Sequence, residues 1–222
     1  IRDALIEQAR RGIRVRLLLD RLGSKNADEA FLRPLREAGA EIEFFHPYFF
    51  KRLWRPEINL RSHRKIVVID GCTGFTGGIN ITDDENEAIR DDAYVDLHFR
   101  ISGEIVRWLQ LAFVADWLYA GGRFAADDRY FPVPSETAGP VTAQVLAAGP
   151  DTPFEPIHRA QVFAINAARK RVLLVTPYFV PSESAMMALT SAALRGVDTA
   201  LVVPLRSDNL MVTLAARSYF DD

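Results

Sequence analysis

Apolar positions along the chain fall into two kinds of spacing, helical and strand-like, and the two alternate. Residues 1 to 11 set Ile1, Ala4, Leu5 and Ala9 at helical intervals with arginines between them, and Gly12 supplies the stop. Ile13 to Leu19 then predicts a strand. Ala27 to Ala38 predicts a helix capped by Asn26 and ended by Gly39, with Pro34 as an internal flaw that kinks or shortens it. Ile42 to Phe45 is a short strand, and Ile66 to Ile69 an unbroken β-branched run followed by Asp70-Gly71, a strong hairpin-turn signal. From Tyr94 to Ile101, Tyr94, Asp96, His98 and Arg100 alternate with Val95, Leu97, Phe99 and Ile101, which is period-two strand writing. Ser102 or Gly103 can start a helix to about Tyr119, closed by Gly121-Gly122. Val141 to Ala147 reads as a strand, Pro156 to Ala168 as a helix, Val172 to Thr176 as a strand and Ser182 to Leu194 as a helix capped by Ser182. This alternation favours a layered α/β fold. Glycine, proline and charge dominate residues 121 to 140, so the expected division is a domain over 1–120, a connector over 121–140 and the start of a second domain over 141–222.

The chemistry concentrates in Arg61 to Asn80, RSHRKIVVIDGCTGFTGGIN. A turn centred on Asp70 and Gly71 pairs Ile69 with Cys72, sets Lys65 opposite Thr76 and His63 opposite Gly78, and leaves Asn80 just beyond. A slip of one residue keeps the same neighbourhood. His63 and Lys65, two apart on a strand, project from one face. An imidazole can attack phosphorus while Lys65 and Asn80 donate to the non-bridging oxygens as charge builds there, with no metal or cofactor required. Gly77 and Gly78, lacking Cβ, would let the backbone approach the phosphate closely or adopt dihedrals closed to other residues, making Lys65, Gly77, Gly78 and Asn80 the candidate substrate-binding set. Asp70, at the turn, is assigned a supporting catalytic role through backbone amides. Asp96 is a candidate orienter for the His63 ring, although the polar face of a sheet-edge strand explains it equally well.

Composition narrows the partners. Of 222 residues, 49% are apolar, enough for one large core or two modest ones, and the net charge of −2 argues against a protein that coats nucleic acid generally. The single cysteine, Cys72, excludes an internal disulfide and a cysteine-rich zinc site. No run of about 18 apolar residues is present to span a bilayer, and no signal peptide is written at the start. The chain opens in what reads as mid-helix, as though it were a piece of something longer. Phe44 to Lys65 mixes Phe44, Phe45, Tyr48, Phe49, Phe50 and Trp54 with Lys51, Arg52, Arg55, Arg61, Arg64 and Lys65. That mixture suits an anionic membrane surface, or nucleic acid, or a partly buried loop with solvated arginines. Thr82 to Asp92 is acidic but lacks the spacing of a calcium loop, and reads as solvated.

The string His63-x-Lys65-x4-Asp70-x6-Gly77-Gly78-x-Asn80 resembles the HKD signature of the phospholipase D superfamily. The segment Thr176-Pro177-Tyr178-Phe179-Val180-Pro181, with His63-Arg64-Lys65 and Asp96-Leu97-His98, looks like the bacterial cardiolipin synthase branch. The resemblance implies a phospholipase D-like α/β/α sandwich with a mixed sheet, built from two similar halves with one HKD motif each, of which the second would be truncated here. It implies His63 as the nucleophile of a phosphohistidine intermediate, a second histidine as the acid, and phosphatidylglycerol as both donor and acceptor. It further implies a membrane surface as working place, the cytoplasmic membrane, with an anchor in a preceding segment; no obligate protein partner is inferred. A nuclease or other phosphodiesterase of the same superfamily is the alternative enzyme, and a phosphate-binding or anionic-lipid-binding fragment without turnover the alternative of another class. The 222-residue piece alone is expected to be inactive.

An internal repeat points the same way. ALIEQARRGIRVRLLLDRL at 4–22 lies over ALTSAALRGVDTALVVPLR at 188–206 at a constant offset of 184, sharing Arg11/Arg195 and Gly12/Gly196 among others. A generic helix-glycine-strand unit would look similar. If the repeat is a duplication, a second copy of the His63 strand falls near position 247, beyond the last residue.

Overall fold

The computed structural model describes residues 1–45, 62–125, 127–133, 139–149, 152–205 and 210–220. The chain divides into two compact units, Ile1–Pro150 and Asp151–Asp222.

The first unit begins with α1 (Arg2–Arg10), β1 (Arg16–Asp20), α2 (Glu29–Glu37) and β2 (Glu41–Phe45). β1 and β2 pair in parallel, Arg16 with Glu41 through Asp20 with Phe45, as a strand-helix-strand crossover requires. Ile6 and Ala9 of α1 meet Leu32 and Leu35 of α2 over Val15, Ala40 and Ile42. Leu32 and Leu35 are each 1% exposed, so truncating either to alanine costs about 2–5 kcal/mol. The cap of α2 is Asp28 rather than Asn26: Asp28 Oδ1 accepts the Phe31 N–H at 2.8 Å. The Ala27 N–H is already bonded to Ser24 O at 3.0 Å in the preceding turn, which delays the helix start. Pro34 lies inside α2 without ending it.

A three-stranded antiparallel sheet follows, β3 (Ile66–Ile69), β4 (Thr73–Gly77) and β5 (His98–Ser102), in that order. The expected mixed sheet is therefore present as a parallel pair and an antiparallel ladder that are not hydrogen-bonded to each other among the described residues. Asp70 and Gly71 form the hairpin turn with left-handed φ of 52° and 67°, and the Cys72 N–H donates to Ile69 O at 3.1 Å. The register corrects the sequence reading by one residue. Ile69 pairs with Thr73 and Ile66 with Thr76, because Cys72 is left out of the ladder as an extra residue beside the turn.

β5 is shorter than the Tyr94 to Ile101 pattern. The Tyr94 N–H goes to Asp84 O at 3.3 Å and the Leu97 N–H to the Asp96 carboxylate at 2.6 Å, so the strand's first half is committed to local bonds. α3 (Ile105–Tyr119) packs across β2 to β5 and buries Val106, Leu109, Gln110, Val114 and Trp117. Gly74 makes this approach possible: a Cβ there would stand 2.9 Å from Leu109 Cδ1 and 3.1 Å from Ile101 Cγ1. No side chain caps α3, so neither Ser102 nor Gly103 serves as expected.

Much of the expected connector folds back onto the first unit. The Arg16 guanidinium lies 5.6 Å, 5.4 Å and 5.3 Å from the ring centres of Trp117, Phe124 and Tyr130, and Phe124 tilts against Tyr130 at 4.7 Å. Val141 to Ala147, read as a strand, has no pairing partner and is irregular.

The second unit contains α4 (Pro156–Ala167), β6 (Arg171–Val175), α5 (Glu183–Leu194), β7 (Asp198–Val202) and α6 (Leu210–Arg217). β6 and β7 are parallel neighbours, Arg171 with Asp198 through Val175 with Val202. Ser182 caps α5 as expected, its Oγ accepting the Ala185 N–H at 3.2 Å. Gly12 and Gly196 close α1 and α5 with matching φ of 84° and 82°, and the Ile13 to Gln8 and Val197 to Ala192 backbone bonds are both 3.1 Å. Gly39 ends α2 with the same pair of bonds, so this shared stop is the general glycine terminus and does not by itself mark a duplication.

Candidate active site

His63, Arg64 and Lys65 run directly into β3, so each successive side chain is thrown to the opposite face. Arg64, on the face away from its neighbours, clamps onto α3: its Nη1 donates to Asp116 Oδ1 at 2.5 Å and Oδ2 at 2.6 Å, and its Nη2 to Ala148 O at 3.0 Å. Asp116 is the only acid in α3, and this clamp explains its place on a largely apolar helix. On the other side of His63, the Ser62 N–H donates to Asp20 Oδ2 at 3.2 Å, tying the segment to the end of β1. The His63 ring is thus exposed on a stretch fastened at both neighbours. The Lys65 ammonium donates to His63 O at 3.0 Å.

Asn80 stands just past β4. Its backbone N–H and its Nδ2 donate to the two oxygens of Glu85, at 2.6 Å and 2.5 Å. Glu85 ends a 3-10 turn, Asp83–Glu85, that Thr82 opens by accepting the Asp84 N–H at 3.4 Å. The sequence reading left this acidic stretch in solvent. Glu85 departs from that: it is half-buried, while every other residue from Ile81 to Arg90 is exposed. The signal that could have found it is a carboxylate five residues beyond a carboxamide with a turn-former, Thr82, between them.

Gly77 takes a φ of 157°, a dihedral that other residues rarely adopt, as one of the two expected uses requires, and both glycines also make room for their neighbours. A Cβ on Gly78 would coincide with the Asp96 carboxylate, and one on Gly77 would strike Leu97 O and stand 3.0 Å from His98 Nδ1. Gly77 pairs with His98 across the ladder, and the Gly78 N–H donates to Leu97 O at 2.9 Å. The pair therefore makes room for the side chains entering β5. Among the described residues no hydrogen bond joins the His63 ring to Asp96, whose carboxylate takes the Leu97 N–H at 2.6 Å. His98 Nδ1 is buried without a hydrogen-bond partner among the described residues.

Burial pushes the Lys65 ammonium below the ordinary lysine range, and the negative charges of Glu85 and then Asp96 pull it back up. Lys65, Asn80, Glu85 and Asp96 therefore share one neighbourhood, with His63 two residues from Lys65. Asp70 does not belong to it. It sits at the far end of the hairpin, about 20 Å of extended chain from His63, and serves as a left-handed turn residue. The aromatic and basic stretch expected to face a membrane or nucleic acid lies largely outside the described residues, over 46–61. Of its described part, Phe44 lies under the Arg21 guanidinium at 4.5 Å and Phe45 packs on Tyr119 at 5.0 Å.

Comparison with known proteins bears on this arrangement directly. A family model described as "Cardiolipin synthase, PLD-like domain" matches residues 1–117. The chain is 40% identical over 227 aligned residues to the cardiolipin synthase of Alkalihalophilus pseudofirmus, an alignment that takes in 100% of this chain and 44% of that protein. It is 40% identical to the cardiolipin synthase of Geobacillus kaustophilus, with the same coverage. It is 36% identical to cardiolipin synthase 1 of Bacillus cereus, over 99% of this chain and 45% of the relative. The chain thus spans somewhat under half the length of the curated relatives it matches. With an HKD string, a hairpin that presents it and a family match over Ile1 to Trp117, this chain belongs to the cardiolipin synthase, PLD-like domain family.

Proposed function

We propose that the protein carrying this chain is a phosphatidyltransferase that makes cardiolipin from two phosphatidylglycerol molecules. What supports the reading is the HKD string with His63, Lys65 and Asn80, with Glu85 both bonded to Asn80 and bearing on the Lys65 ammonium, in a chain alignable along its whole length with cardiolipin synthases. In the first step a ring nitrogen of His63 forms a bond to the donor's phosphorus. The bond from phosphorus to the headgroup oxygen breaks, and glycerol leaves after taking a proton from an acid on the opposite side. In the second, the free hydroxyl of another phosphatidylglycerol attacks the phosphohistidine, gives up its proton to the same group and frees His63. Lys65 and Asn80 hold the non-bridging oxygens throughout, where their donors act on charge that grows in the transition state. Asp96, standing against Gly78, is assigned to steady the imidazolium as charge develops on it, with Gly77 and Gly78 leaving room for the segment that carries it.

One histidine cannot both attack and protonate the group leaving on the far side, so the acid belongs to a second, similar half. We take Ile1–Pro150 to be the first half and Asp151–Asp222 to belong to the opening of the second, a reading that the division into two compact units supports. The substrate class is anionic phospholipid and the working place a membrane surface, reached through an anchor elsewhere in the protein. No helix among the described residues is long and apolar enough to cross a bilayer.

The test is phosphatidyl transfer by the full-length protein on phosphatidylglycerol vesicles. Cardiolipin and glycerol are expected, and His63→Ala is expected to abolish both. Phosphatidic acid as the sole lipid product would replace the transferase with a hydrolase, and full activity in His63→Ala would remove the mechanism.

A further inference from the structure

A carboxamide has an oxygen and a nitrogen of nearly equal size, so packing alone does not decide which of them meets a phosphate. For Asn80 the decision is made by Glu85. An ionised carboxylate only accepts hydrogen bonds, and this one takes both the Asn80 backbone N–H at 2.6 Å and its Nδ2 at 2.5 Å. Nδ2 has two hydrogens, so the clasp uses one and leaves the other free for a phosphoryl oxygen. Glu85 is itself held, at the end of the turn capped by Thr82, and is shielded while its neighbours are not.

We propose that Glu85 is a positioning residue of the phosphate site, locking the Asn80 carboxamide in the one orientation that presents N–H to the ligand. This rests on the function proposed above. The charges that bear on the Lys65 ammonium are Glu85, from the 3-10 turn, and Asp96, from the segment entering β5. Both favour the protonated form, against burial, so Glu85 orients one phosphate donor and favours the charged form of the other. A phosphate and Glu85 repel each other, which sets the ligand on the opposite side of Asn80 from the clasp.

The experiment uses the full-length protein and phosphatidylglycerol vesicles. Glu85→Ala is expected to lower kcat/KM about tenfold at neutral pH, the size of one charge-assisted hydrogen bond. In an Asn80→Ala background the same change is expected to cost nothing further. Glu85→Gln keeps the shape and loses the charge, and is expected to move the alkaline limb of the kcat/KM profile to lower pH. Should Glu85→Ala melt early, the profile of the Gln variant decides. A wild-type rate and profile in both variants, or an equal tenfold loss with Asn80 already removed, would overturn the role of Glu85. Activity that survives His63→Ala would instead overturn the function beneath it.

Discussion

Removing the Asp116 carboxylate isolates the contribution of the clamp behind the HKD strand. The Arg64 side chain is 29% exposed and the Asp116 side chain 13%, so the pair is neither free in solvent nor fully enclosed. Exposed ion pairs contribute about 0–1 kcal/mol, and breaking a fully buried one costs about 3–5 kcal/mol. The short contacts of one guanidinium nitrogen, Nη1, with both carboxylate oxygens and the mostly shielded acid put this pair between those limits, at about 2 kcal/mol. Asp116→Ala also leaves the guanidinium with the Ala148 carbonyl as its remaining partner, which cannot neutralise it. For a unit of this size each kcal/mol moves the thermal midpoint about 2–4 °C, so a fall of about 4–8 °C is expected. Urea unfolding followed by tryptophan fluorescence suits the measurement, since Trp117 is 1% exposed and adjacent to the substituted residue. Arg64→Ala and the double variant complete the cycle, and a coupling energy above about 1 kcal/mol is expected. A loss below about 0.5 kcal/mol in Asp116→Ala, or strictly additive single effects, would refute the clamp.

Gly78→Ala puts a methyl group where the Asp96 carboxylate lies, and should cost about 1–3 kcal/mol in urea unfolding, as overpacking does; an unchanged midpoint would show that Asp96 is held elsewhere. Lys65 is expected to set the alkaline limb of transfer by the full-length protein. Burial lowers its affinity for the proton, so the active ammonium should be lost as pH rises through a value below the ordinary lysine range, and Lys65→Arg, which stays charged, should remove that limb while lowering the rate. A limb that is unchanged in Lys65→Arg would assign it to another group. Asp28→Ala deletes the cap of α2 and should cost about 1 kcal/mol by the same unfolding assay, whereas Asn26→Ala should cost little; the reverse order would restore the cap expected from sequence.

The elements most legible in the sequence were those specified by local rules. The β-branched run Ile66 to Ile69 and the glycine stops at Gly12 and Gly39 carry their structure in a few adjacent residues, and each stands where its pattern placed it. The hairpin register was off by one because an Asp-Gly pair fixes the turn's dihedrals but not whether the next residue joins the ladder. Asp28 outcompeted Asn26 through the Ser24 turn, and the front of the Tyr94 to Ile101 strand was drawn off by Asp84 and Asp96, through short-range turn and side-chain bonds that helical or period-two spacing does not register. For the candidate site, the HKD string located Lys65 and Asn80. It did not disclose Glu85, because a carboxylate in an acidic run looks like any solvated charge until the turn folds it back. Asp70, part of the same string, stands at the turn where the Asp-Gly pair placed it, because a turn signal is carried by two adjacent residues.

The sleeve of rings around Arg16 imposes an order on assembly. Trp117, Phe124 and Tyr130 lie more than a hundred residues later in synthesis, so β1 leaves the ribosome long before the groups that cover its guanidinium. Closing so long a loop is entropically demanding and slow relative to local helix formation. The strand must therefore wait, incompletely covered, until the segment that follows α3 arrives to seal it.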